Sequence, residues 1–197
     1  MKKFKMFFAV IAVTFVLGVS ASSWAATYQV DKVHSSVSFK IRHLVSNVQG
    51  SFGDFDGSVD YDPAKPETWA TNGSIQVKSI NTNNSKRDEH LLSKDFFDAG
   101  QFPVITFKST KVTDATKDGA KIEGLFTMHG VTKPIVLDAQ ILGVSKDMNG
   151  KEHLGLSATT KINRKDFGIS FNKALDQGQM MLGDDVTVAL DVDAIAA

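Results

Sequence analysis

The chain has 197 residues, 22 basic and 22 acidic side chains, no net charge and no cysteine, and 42% of its residues are hydrophobic. That balance offers no basic excess to attract nucleic acid and no disulfide to support the fold, and the length suits one domain of ordinary size. Stability must then come from packing of an apolar core.

The first segment is not part of that core. Lys2, Lys3 and Lys5 precede an uncharged run from Met6 to Val19, which gives way to small residues and Ser23-Trp24-Ala25. A basic start, a short apolar run and small residues before a break describe a secretory signal peptide, with cleavage expected after Ala25. The run has 14 residues, shorter than the roughly 20 of a spanning helix, and no second stretch like it follows. The expected mature chain, residues 26–197, keeps 19 basic against 22 acidic residues and ten of the fourteen phenylalanines. Export without an anchor or cysteines points to a periplasmic location.

From about Ser35 onward, short runs alternate apolar and polar residues, the period-2 signature of half-buried strands. Val37, Phe39 and Ile41 fall opposite Ser36, Ser38, Lys40 and Arg42, and Val186, Val188, Leu190 and Val192 fall opposite Asp185, Thr187, Ala189 and Asp191. Strands are predicted near residues 27–31, 35–44, 48–61, 72–81, 103–113, 119–129, 131–144, 153–164 and 183–194, the first two counting as one broken strand. Turns at Asp118-Gly119, Gly130, Asn149-Gly150 and Gly183-Asp184 separate them. Pro134 inside a run marks an edge or a bulge. The fold class is all-β, and many antiparallel strands with one apolar face each close on themselves as a barrel or a sandwich.

One segment, Asn83 to about Phe97, reads as a helix. Asn84 or Ser85 caps its start, Asp88 and Glu89 lie early in it, and Leu91, Leu92, Phe96 and Phe97 are placed to plug a barrel end. A second irregular stretch, Phe167 to Gly178, is a further short helix or a loop at a mouth.

Chemistry-bearing motifs are sparse. His34, His43, His90, His129 and His153 form no His-x-His or His-x-x-x-His pair and no His-Glu-x-x-His, so no metal is expected. No Gly-x-Ser-x-Gly elbow occurs, and Asp166-Phe167-Gly168 lacks the other kinase motifs and reads as a turn. No catalytic residue is assigned. Arg87 and His90, three apart on one helix face, and Arg164 are candidates either for a polar ligand head or for ties within the barrel rim.

Several blocks resemble the YceI-like family of exported, lipocalin-like barrels: Asp31-Lys32-Val33-His34-Ser35-Ser36, Gly50-Ser51-Phe52-Gly53-Asp54-Phe55, Arg87-Asp88-Glu89-His90-Leu91, Pro103-Val104-Ile105-Thr106-Phe107, Gly124-Leu125-Phe126-Thr127-Met128-His129-Gly130 and Asn163-Arg164-Lys165-Asp166-Phe167-Gly168. The resemblance implies an eight-stranded antiparallel barrel, with one or two short helices at its ends, whose interior holds a long isoprenoid or acyl chain. It implies a carrier rather than an enzyme, with no cofactor besides that lipid.

Strands of eight to ten residues rise about 3.3 Å each, a wall of roughly 30 Å before tilt, so the expected interior is a tunnel. On the alternation, Phe39, Ile41, Phe52, Ile75, Phe107, Phe126, Met128 and Leu156 are expected to line it. The leading expectation is a periplasmic carrier of a polyisoprenoid, quinone precursor or fatty-acyl lipid, monomeric or dimeric, without stable membrane insertion. The alternatives are a stress-related scavenger or holdase of amphiphiles and a lipid-modifying hydrolase dependent on His90 or His34.

Overall fold

The computed structural model describes residues 26–174 and 180–197; the expected leader and the end of the Phe167–Gly178 stretch lie outside the described residues. The chain runs through strands β1 (Ala26–Val30), β2 (Ser36–His43), β3 (Ser46–Phe52), β4 (Phe55–Tyr61), β5 (Ala70–Gln76) and β6 (Ile80–Asn81), then helix α1 (Ser85–Leu92). It continues with β7 (Val104–Thr116), β8 (Gly119–Met128), β9 (Val131–Lys146), β10 (Glu152–Asn163), a 3-10 turn at Arg164–Phe167, and β11 (Leu182–Ala196).

Neighbouring strands pair antiparallel in the order β1-β4-β5-β7-β8-β9-β10-β11, and a β1–β11 pairing closes the ring. The result is a closed eight-stranded barrel. β2, β3 and β6 prolong one side of it from β11 outward, with β2 pairing β11, β3 pairing β2, and β6 pairing β3. β1 and β2 do behave as one broken strand, since both use β11, Val30 opposite Ala194 and Ser36 opposite Asp191. Asp193 bridges the break: its carbonyl accepts from Asp31 N at 2.8 Å and from Ser35 Oγ at 3.1 Å, and its N–H donates to Ser35 Oγ at 3.0 Å.

The expected strand 48–61 is instead two strands. Between them Gly53 N donates to Ser79 O at 3.1 Å and Asp54 O accepts from Gln76 N at 2.8 Å. The chain there leaves β2 for β1, and the buried row changes phase at the corner, from Val48, Gly50 and Phe52 to Phe55, Val59 and Tyr61. The expected strand 72–81 likewise ends at Gln76, turns through a 3-10 segment at Val77–Ser79 and resumes as the two-residue β6.

The interior has two packed ends. At one, Phe52, Phe96, Met128, Phe167 and Ile169 are buried, with Leu91, Leu92 and Phe97 against them, so the helical segment does plug the barrel. Asn84 is the N-cap, its side chain accepting from Arg87 N at 3.0 Å. At the other end Tyr28, Tyr61 and Trp69 pack with Ala120, Leu154 and Ala194. Among the described residues no helix is long and apolar enough to cross a membrane.

Candidate functional site

Between the two packed ends lies a cavity of about 170 Å³ lined almost wholly by apolar side chains, among them Val37, Ile105, Phe107, Ile122, Phe126, Leu137, Leu156 and Leu190. A polar cavity of this size would hold water, but an apolar one stays dry and accepts an apolar guest. The inward rows of β4 and β5 thin out beside it, because Gly57 and Gly73 sit opposite each other in the ladder. A Cβ on Gly73 would meet only Asp56 O, at 3.5 Å, so the space above it is open. Gly124 serves a different purpose: its missing side chain makes room for the Phe107 ring.

The floor is aromatic. Trp69 lies 4.9 Å from Tyr61, ring centre to ring centre, and Tyr61 lies 6.4 Å from Tyr28. Trp69 Nε1 donates to Asp62 O at 2.6 Å, and Tyr28 Oη donates to Glu152 Oε1 at 2.6 Å. Burial, and then the Glu152 carboxylate, push the Tyr28 phenol up to about 12. Burial, followed by the charge of Asp62, also raises Tyr61. Sequence reasoning did not assign these three aromatics a site role. Asp62-Pro63 and Lys65-Pro66 mark an excursion between β4 and β5 in the sequence, but nothing local says that Trp69 returns from it into the barrel.

Of the eight residues expected to line the interior, Ile75, Phe107, Phe126 and Leu156 line the cavity. Phe52 and Met128 are buried in the helix-end core and Phe39 packs against it, its ring over Gly50. Ile41 is half-buried, farther along β2. The apolar space is therefore shorter than the barrel, since the helical segment and its phenylalanines occupy the rest.

The three polar candidates are held by the protein itself. Arg164 is 3% exposed; its guanidinium donates to Gly183 O at 2.9 Å, Ile169 O at 2.8 Å and Phe171 O at 2.9 Å, with Asp184 Oδ1 at 3.4 Å. Arg87 reaches back to Thr82, donating to its hydroxyl at 2.7 Å and its carbonyl at 2.6 Å. His90 turns the other way, Nε2 2.8 Å from Asp95 Oδ2, its ring edge-on to Phe96 and Phe171. Arg87 and His90 thus do not converge. Asp166-Phe167-Gly168 closes the 3-10 turn, with Gly168 at φ 78°, and among the described residues no three His, Cys, Asp or Glu gather as a metal site.

The wall itself is incomplete. β9 and β10 pair from Glu152–Lys146 to Thr159–Asp138 and then part, although β9 runs back to Val131 and β10 on to Asn163. Pro134 lies in this unpaired stretch, the edge position its missing N–H requires. Ile141 N donates to Asp118 O, and the β8–β9 register is unbroken. Alternation of bonded pairs therefore directs the Pro134 nitrogen away from β8, toward the gap. A groove of about 950 Å³ follows the split, lined by Lys133, Pro134, Val136, Thr160, Ile162, Asp166 and Phe167, among others.

Fold and cavity together define a lipocalin-like antiparallel barrel that keeps an apolar space inside. The profile of the YceI-like domain matches residues 28–194, and the chain belongs to the YceI-like family. A UPF0312 protein of Pseudomonas fluorescens is 39% identical over 191 residues, covering 93% of this chain and 94% of that one. The crystal structure of the Campylobacter jejuni YCEI protein, 38% identical, superposes with a TM-score of 0.70 over 80% of this chain and 91% of its own. A polyisoprenoid binding domain from Saccharophagus degradans, 13% identical, shares the fold, with a TM-score of 0.66 over 88% of this chain and 100% of its own.

Proposed function

We propose that this is a periplasmic carrier, exported by residues 1–25 as a cleaved leader, that binds a long apolar lipid of polyisoprenoid, quinone-precursor or fatty-acyl type with part of its chain inside the barrel. The observation that carries the reading is the cavity of about 170 Å³ between the two packed ends. Small eight-stranded barrels either fill themselves with side chains or hold one ligand, and Gly73 leaves an inward position open here. The polyisoprenoid-binding description of the similarly folded Saccharophagus domain supports the ligand class.

Each methylene moved from water into such a space contributes about 0.8 kcal/mol, so affinity needs no charged contact. Binding rather than turnover is supported by membership of the YceI-like family and by the likeness to a polyisoprenoid binding domain.

The test is native mass spectrometry, with organic extraction, on protein taken from the periplasm without detergent, beside a Gly73→Val variant. A discrete added mass of one isoprenoid or acyl lipid is expected on the wild type, with a polypeptide mass beginning at Ala26. The variant, whose new methyls fill the cavity without a backbone clash, should fold and lose the lipid. Wild-type protein that is lipid-free and takes up no lipid when offered would overturn the proposal.

A further inference from the structure

The cavity is too small for the whole of a long chain. An apolar hole of about 150 Å³ holds a single benzene, and the space here is about 170 Å³. The barrel ends are packed, with Tyr61 and Trp69 buried at one and Phe96 and Phe167 at the other. The wall does give room. Ile135, Thr160 and Ile162 line both the cavity and the β9–β10 groove, so the two spaces share a boundary at the split.

The split also carries a charge in an unusual place. Lys133 belongs to the inward row of β9 with Ile135 and Leu137, and its cross-strand partner is Phe126, a cavity residue. From Val131 to Ile141 the other side chains of that row are apolar and at least half-buried, yet Lys133 is exposed, because the wall is open beside it. Lys121 and Lys161, which also line the groove, are spent on Asp114 at 3.3 Å and Asp185 at 2.7 Å. Lys133 has no hydrogen bond or ion pair among the described residues. The acids of the groove are Asp138, which lies opposite Lys121 on the outer face, and Asp166 on the 3-10 turn.

Resting on the lipid-binding reading, we infer that the β9–β10 split is a side portal through which a single-chain amphiphile lies half in and half out of the barrel. Its apolar end occupies the cavity and its anionic head, carboxylate or phosphate, meets Lys133 at the mouth. Pro134 and the unpaired edge of β9 keep the portal open by denying β10 a continuous ladder. Asp166 opposes the head and limits how strongly an anion is held.

The experiment uses the delipidated mature protein, residues 26–197, in which Trp69, a cavity residue, is the only tryptophan. Its fluorescence is titrated with two matched pairs, palmitate against hexadecanol and farnesyl phosphate against farnesol. The anion of at least one pair should bind about fivefold tighter than its alcohol, the scale of a partly solvated ion pair. Which pair shows it tells carboxylate from phosphate. Lys133→Met should abolish the preference and leave alcohol affinity unchanged, while Asp166→Asn should increase it. Bridging Val136→Cys and Lys161→Cys across the split with a bismaleimide should slow ligand exchange by about tenfold or more, as for any obstructed exit. A preference that survives Lys133→Met, or exchange indifferent to the bridge, overturns the portal while leaving a lipid-binding barrel. Failure of all four probes to bind the wild-type barrel overturns the carrier reading itself.

Discussion

At the scale of single residues, the far-end aromatics give a direct spectroscopic handle. Tyr28 and Tyr61 are the only tyrosines in the chain, and both phenols are raised, Tyr28 to about 12. An acid whose pKa is raised by folding holds its proton more tightly in the native state. Its contribution is complete below the unfolded value, about 10, and is lost as pH climbs through the folded value. Stability should therefore decline between about pH 10 and 12. An alkaline absorbance titration should show tyrosinate late in the folded protein and near pH 10 in denaturant; coincident curves would mean that the aromatic floor does not exclude water. The three polar candidates illustrate what one residue's sequence context can show. Arg164 and Arg87 were recognisable as unusual, but whether a guanidinium meets a ligand or three carbonyls depends on chain segments brought in from elsewhere, and here the carbonyls of residues 169, 171 and 183 surround Arg164.

Among the elements, the start of α1 was legible to its cap, because capping and first-turn charge are local chemistry, while its end was not: the helix stops at Leu92 and the expected continuation to Phe97 is turn. Asn84 supplies the side-chain N-cap of that helix, and its loss in Asn84→Ala should cost about 1 kcal/mol. In a chain of this size that is a fall of roughly 2–4 °C in melting temperature, readable by thermal circular dichroism, and an unchanged midpoint would mean that the phenylalanines and the Arg87 and Asp88 bonds to Thr82 hold the plug without the cap. Pro134 was equally legible as an edge or bulge signal, and the structure chooses the edge. The breaks at Gly53-Asp54 and after Gln76 leave a mark in the sequence, a change of phase in the buried row from Phe52 to Phe55 and from Val77 to Ile80, but not the identity of the new partner strand. Local alternation reports which face is buried, and it is silent on which neighbour does the burying.

For the molecule as a whole, a ligand that binds only the folded barrel raises stability by mass action, about 2.7 kcal/mol at a hundredfold excess over its dissociation constant. Lipid-loaded protein should then melt roughly 5–10 °C above the extracted form. Differential scanning calorimetry on both forms checks this, and equal midpoints would place any lipid outside the barrel. The sequence by itself determined the all-β class, the inward rows, the helical plug and the family resemblance, because side-chain period, turn chemistry and capping act over a few residues. Only the tertiary structure decided that ring closure runs through β1 and β11, that Trp69 and Tyr61 close the far end, and that the wall parts between β9 and β10. Those features are set by which distant segments meet and how much volume they leave between them, and volume belongs to the assembled barrel rather than to any stretch of chain.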